Sequence, residues 1–209
     1  NLNKRTSLSF SLSGAQDLEF LKNHPNIKNL RIDGVGEEGL DGIIDWRGIR
    51  FLTNLEEFQI QNGGDAKTLT DWEFLNGLSS ITYLEFWNGN YSWLTNLSGL
   101  SGARNLRDVR IILNDAEVDS WEPFQELTEI FRLVLVSNKF SSLEPFTASP
   151  KLKHLGLRGG GRGLSDALSN SSPLAGNLSL EQIGLSKLGI ENIDALPSIS
   201  NLSEVDLSD

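Results

Sequence analysis

The chain has 209 residues, 38% hydrophobic and 22% charged, which is enough apolar matter for a sizeable core and excludes a disordered tail. Eighteen Lys and Arg against 28 Asp and Glu leave a net charge of -10, which argues against general binding to a phosphate backbone. There is no Cys, no Met and no apolar run near membrane-spanning length, so disulfide frameworks, thiolate metal sites, Cys nucleophiles and a transmembrane helix are excluded. The missing Met implies a processed or trimmed chain, so the lack of a leader segment says nothing about compartment.

In chain order, one spacing recurs: an apolar residue, a second three positions on, a third two after that. Arg5, Leu8 and Phe10 open the series with only the first position lost. Then follow Ile27, Leu30, Ile32; Leu55, Phe58, Ile60; Ile81, Leu84, Phe86; and Leu106, Val109, Ile111. Ile130, Leu133, Leu135; Leu152, Leu155, Leu157; Leu180, Ile183, Leu185; and Leu202, Val205, Leu207 complete it. Twenty-six of the 27 positions are apolar, where the chain's own composition predicts about ten, so the period is real. The last two anchors alternate as in a strand with one buried face, so each copy predicts a short parallel strand stacked about 4.8 Å from the next.

Between the strands runs a spacing of three. Trp46, Ile49, Leu52; Trp72, Leu75, Leu78; Trp121, Phe124, Leu127; and Ile193, Leu196, Ile199 each end three residues before the next first anchor. Leu94, Leu97, Leu100 and Leu168, Ser171, Leu174 repeat the motif with three extra residues before the strand. Side chains three apart eclipse on a 3₁₀ turn and lie close on an α-helix, so each return arm is predicted as a short 3₁₀ or helical segment. Trp46, Trp72 and Trp121 are predicted core, whereas Trp93 breaks the register by one and is predicted partly exposed.

The segments LTDWEFLNGLSSITYLEF (69–86), WEPFQELTEIFRLVLVSN (121–138) and IENIDALPSISNLSEVDL (190–207) resemble repeats of the internalin-like leucine-rich repeat class of bacterial proteins. The resemblance covers nearly the whole chain. It implies an α/β leucine-rich repeat solenoid, a right-handed horseshoe with short parallel strands on the concave face and 3₁₀ or short helical returns on the convex face. Residues 1–209 would form a single such domain of about nine coils, probed by a macromolecular partner rather than a substrate. The chain departs from the family pattern after the strand. The Asn three residues past the last anchor is present as Asn114 and Asn138, while Gly63, Gly89 and Gly160 replace it elsewhere, with Asn62 and Asn88 one residue early. Irregular turns are expected there in place of a continuous Asn ladder.

Repeat stacks need polar caps. The last copy stops two residues past its final anchor, so a longer natural protein is expected. The two longest copies hold insertions, one at 33–46, acidic and Gly-rich, the other at 158–177, low in apolar residues and read as a protruding loop. Gly159, Gly160 and Gly161 form neither GxGxxG nor a P-loop. Of the two histidines, His24 reads as a solvated turn residue and His154 projects from a strand toward the concave face. No HExxH, GxSxG, SxxK or EF-hand string occurs, so neither an enzyme, a metal site nor a cofactor is expected. Asn90, Asn96, Asn170, Asn177 and Asn201 begin N-x-Ser sequons, and this N-L-S recurrence falls in the approach to the strands.

Stacking places residues remote along the chain on one inner wall. The row between the last two anchors reads Arg31, Gln59, Glu85, Arg110, Val134, Gly156, Gly184, Asp206. The row after the third anchor reads Asp33, Gln61, Trp87, Ile112, Val136, Arg158, Ser186, Ser208; the row before the second reads Asn29, Glu57, Tyr83, Asp108, Arg132, His154, Gln182, Glu204. Tyr83, Trp87, Ile112, Val134 and Val136 come from three successive strands and predict one exposed apolar patch. Arg110, Arg132, His154 and Arg158 beside it predict a locally basic surround, with Phe131 nearby. This is the composition of a protein-interface hot spot. The first reading is a non-enzymatic bacterial surface or secreted adhesin-like module that binds a protein ligand. The alternative is an intracellular regulator, scaffold or immunity-type inhibitor; a catalytic domain would require His154 to meet a carboxylate such as Asp108.

Overall fold

The computed structural model describes residues 5–12, 16–34, 42–137, 139–140, 142–159, 171–188, 190 and 192–208. In chain order the strands are β1 (Ser7–Leu12), β2 (Gln16–Asp17), β3 (Asn29–Gly34), β4 (Ile43–Asp45), β5 (Glu57–Asp65) and β6 (Tyr83–Asn90). They continue as β7 (Asp108–Asn114), β8 (Arg132–Ser137), β9 (His154–Arg158), β10 (Gln182–Ser186) and β11 (Glu204–Asp206). Nine of them form one open parallel sheet, ordered β1-β3-β5-β6-β7-β8-β9-β10-β11, while β2 and β4 pair separately. The order follows the sequence because each coil can bury its apolar edge only against its neighbours. Every pair of central strands aligns anchor with anchor, for example Leu84 with Val109 and Leu133 with Leu155.

From Ile27 to Leu185 no anchor side chain is more than 3% exposed. Burial of one such Leu or Ile contributes about 1.5–3 kcal/mol. The terminal copies are looser: Leu8, Phe10 and Leu202 are half-buried, and Val205 and Leu207 are exposed.

The returns are 3₁₀ turns, at Glu19–Asn23, Trp46–Phe51, Glu73–Leu75, Ser98–Gly102, Glu122–Glu126, Glu144–Phe146, Ser172–Gly176 and Leu196–Ser198. Trp46, Trp72 and Trp121 are buried and Trp93 is exposed. Seven returns begin the same way: a side-chain oxygen of Asp17, Asp45, Asp71, Asn96, Ser120, Ser142 or Asn192 accepts the backbone N–H two residues on. Such residues start turns by this local bond. They stand immediately before the first apolar residue of each triplet.

The backbone bonds of the returns correct two triplets. In the fifth coil the repeating unit is Leu97, Leu100, Ala103, closed by Ala103 N–H to Leu100 O and Leu106 N–H to Ala103 O. Farther on it is Ser171, Leu174, Asn177, closed in the same way, so neither coil has extra residues before its strand. Leu168 lies outside the described residues. The third members, the small Ala103 and the polar Asn177, hid the register. His24 also occupies that position, half-buried below Ile27, and is not a solvated turn residue. Ile193 is exposed, because no described coil stacks outside the last return.

The post-strand turns are irregular. Asn62, Asn88 and Asn114 have φ of 51, 52 and 49°, a left-handed conformation that Asn adopts more readily than most residues. Register shifts follow Gln61 and Ile112. Asn138, Gly160 and residues 35–41 and 160–170 of the two insertions lie outside the described residues. The side-chain ladder runs instead along the approach to the strands. Asn54 donates to Pro25 O, Asn105 to Ser79 O, Asn177 to Ser149 O and Asn201 to Leu178 O, at 2.6–3.1 Å. Asn177 is buried, so its sequon serves the fold. Asn177→Ala leaves the Ser149 carbonyl without this donor and is expected to cost about 1–3 kcal/mol, read as a lower urea midpoint.

Candidate functional site

Alternation along each strand turns the second and third anchors into the core and the residues beside them onto the concave face. Across β5 to β11 this face forms a trough of about 680 Å³, lined among others by Gln61, Glu85, Trp87, Arg110, Arg132, Val134, His154, Gln182, Glu204 and Asp206. Seven strands at the usual spacing make it roughly 29 Å long.

The side chains on its upstream half are held by one another. Glu85 accepts from the Tyr83 hydroxyl at 2.6 Å and from the Gln61 amide at 2.7 Å. Arg110 donates to both oxygens of Asp108, at 3.0 and 2.9 Å, and lies 3.8 Å from Glu85. Its guanidinium also stands over the Tyr83 ring, 5.6 Å from the centroid. Arg132 approaches the other side of Asp108 at 3.8 Å. Burial first, and the bond to Glu85 second, push the Tyr83 phenol above its ordinary range, so it remains a donor. The Asp108 hydrogen bond is the largest influence raising the Arg110 pKa.

These contacts change the expected character of the patch. Tyr83 is half-buried and turned to Glu85, so it supplies a hydrogen-bonded wall more than apolar surface. Trp87 is 37% exposed and lines the trough with Val134. Ile112 and Val136 pair in register and are half-buried, but Ile112 faces a separate depression bounded by Gly64, Asn88, Gly89, Asn90 and Asn114. Arg110 and Arg132 are balanced by Glu85 and Asp108, so the surround is a lattice of paired charges and not a plain basic field. The expectation had counted the cations and passed over these two anions.

Downstream, the His154 ring Nδ1 is 2.7 Å from the Gln182 amide oxygen, and Phe131 meets that ring edge-on at 5.0 Å. Phe131 is exposed and carries Lys153 5.9 Å from its centroid, with Lys153 ion-paired to Glu181 at 2.5 Å. Arg158 is exposed at the end of β9. Glu85, Asp108, Gln61, Gln182 and the glycines of the middle row were missed as site members. Their signal is adjacency within the stacked rows: Glu85 beside Arg110, Asp108 beside Arg132, and Gly156 beside Gly184.

No protein-family model matches the chain, and no curated protein matches it. Solved structures do. Internalin C2 from Listeria monocytogenes superposes with a TM-score of 0.73 at 21% identity, over 99% of this chain and 82% of that one. An internalin F structure from the same organism gives 0.67 at 16% identity, over 99% of this chain and 61% of that one. The fold is a leucine-rich repeat solenoid like that of the internalins.

Proposed function

We propose that the chain is a non-enzymatic protein-binding module that grips its ligand in the concave trough, as a bacterial surface or secreted adhesin-like domain. The observation that carries this reading is the exposed Trp87, which lines one trough with Val134 two strands away and is framed by a side-chain network already tied across four strands. A rigid, prepaired surface loses little ordering entropy on binding, so its contacts convert efficiently into affinity. An exposed aromatic with Arg close by is the usual make-up of an interface anchor. The Gln182 amide, and not a carboxylate, holds the His154 nitrogen, which favours recognition over acid–base chemistry. The likeness to internalins supports a module exposed on, or released from, a bacterial cell; among the described residues no helix is long and apolar enough to cross a membrane.

The test is capture of the partner with the wild-type chain, with the Trp87→Ala and Arg132→Ala double variant as control, followed by titration calorimetry. Each single substitution is expected to weaken binding about tenfold or more, without loss of folding. Unchanged affinity in both variants removes the concave face from the account.

A further inference from the structure

From β3 onward the middle row of the concave face carries a side chain on every strand except β9 and β10, where Gly156 and Gly184 are register partners. A Cβ at Gly184 would meet only the Gly156 Cα, at 4.0 Å. At Gly156 it would touch only the Val134 side chain, from 3.5 Å outward. Neither glycine has a positive φ, so the backbone does not require glycine at either place. Two adjacent missing side chains therefore leave a cleft in the trough floor. Val134 bounds it along the stack on one side and Asp206 on the other. The His154–Gln182 bridge forms its lateral wall.

The charges around this cleft are opposed. Arg132 stands upstream on β8 and Glu204 and Asp206 downstream on β11, while Arg158 ends β9 between them, close enough to Asp206 to help lower its pKa. Among the described residues Arg158 forms no ion pair and no hydrogen bond, and its side chain is exposed. The Ser208 backbone N–H, with a smaller influence from Arg158, holds the Asp206 carboxyl below its ordinary range, so it stands ready as an acceptor. A partner's carboxylate or ammonium would gain on one side what it lost on the other. A neutral planar ring with a hydroxyl gains from both: glycine Cα atoms and Val134 methyls accept its flat face, a guanidinium favours the ring, and a carboxylate accepts the O–H.

Resting on the concave-face reading above, we propose that the Gly156–Gly184 cleft receives a tyrosine side chain projected by the protein partner. It acts as a specificity subsite downstream of the Trp87 anchor. The cleft rejects charged side chains because its two ends carry opposite signs.

The test uses p-cresol, the side chain of tyrosine, as the probe. Millimolar p-cresol is titrated into the ¹⁵N-labelled chain while the backbone amides are followed by NMR, with n-butylammonium and propionate as controls. The amides of Gly156 and Gly184 are expected to shift with p-cresol and not with either control, and Gly184→Val, which fits the open space, abolishes the shift. Glycine amides that stay still in the wild-type chain, or respond equally to all three probes, overturn the proposal. So does a p-cresol shift that persists in Gly184→Val. Should Trp87→Ala weaken partner binding while p-cresol moves nothing, the cleft is refuted and the concave face stands. Glycine shifts with partner affinity unchanged in Trp87→Ala and Arg132→Ala show a ring-binding cleft that the partner does not use, and overturn both the subsite and the concave-face reading.

Discussion

Trp72→Ala is expected to destabilise the chain by about 3–5 kcal/mol, the usual range for truncating a fully buried large aromatic. Trp72 is fully buried and stacks on Phe86 at 5.2 Å and on Phe74 at 6.2 Å, with interplanar angles of 17° and 19°. Phe58 closes the group edge-on against both, at 5.5 and 5.8 Å. This cluster joins the return arm of one coil to the strands of two, so the cavity left by Ala has rigid walls that cannot collapse. Trp72→Phe is expected to cost far less. The indole N–H is buried with no hydrogen-bond partner, and Phe removes that unsatisfied donor along with the smaller ring. Urea unfolding of the two variants separates cavity from polarity: a large fall in midpoint for Ala, a small one for Phe. Equal losses would mean that the indole nitrogen has a partner and that stacking is not the main contribution.

Gly99→Ala is expected to destabilise by about 3 kcal/mol, the upper end of the range for overpacking. A Cβ at Gly99 would lie 1.9 Å from the Trp72 carbonyl oxygen and 2.2 Å from its carbon. Those are backbone atoms of the preceding return, so relief requires two coils to move apart. Gly48 stands in the same relation to the Leu18 carbonyl, at 2.2 Å. Other coils carry Phe74, Pro123 or Pro145 at the equivalent position, one residue before the second triplet member, so the tight approach is local to these two junctions. Gly184→Val provides the contrast, since it adds a side chain into open space on a strand. It should leave the urea midpoint unchanged or raise it by up to about 1 kcal/mol through loss of unfolded-chain freedom. A Gly99→Ala chain as stable as wild type would contradict the coil spacing described above.

The strands were legible because the same three-anchor spacing recurs in every coil and, from Ile27 to Leu185, reports one buried face that a one-residue slip would have exposed. The returns were legible where Trp or Leu filled the triplet. They were misregistered where Ala103 or Asn177 took its third place, since a small or polar residue breaks an apolar count although its backbone bond is the same. The better marker was the Asp, Asn or Ser before seven of the described triplets, whose side-chain oxygen starts the turn by a local bond. The irregularity of the post-strand turns was legible because Asn62, Asn88 and Asn114 differ in their distance from the last anchor, and the bulges absorb the difference. On the concave face the rows were correct, but their charge was misjudged. Glu85 and Asp108 stand next to Arg110 and Arg132 across strands about 25 residues apart in sequence, and counting cations alone missed their pairing.

Hydroxyl-radical footprinting of the chain with and without its captured partner tests the proposed mode of recognition most directly, because two tryptophans serve as reporters within one molecule. Trp87 and Trp93 are 37% and 46% exposed, so both react in the free chain, yet only Trp87 lines the trough. Partner binding should protect Trp87, together with Tyr83 and His154, and leave Trp93 oxidised at its original rate. Protection of Trp93 with Trp87 still reactive would place the ligand outside the horseshoe and contradict the account.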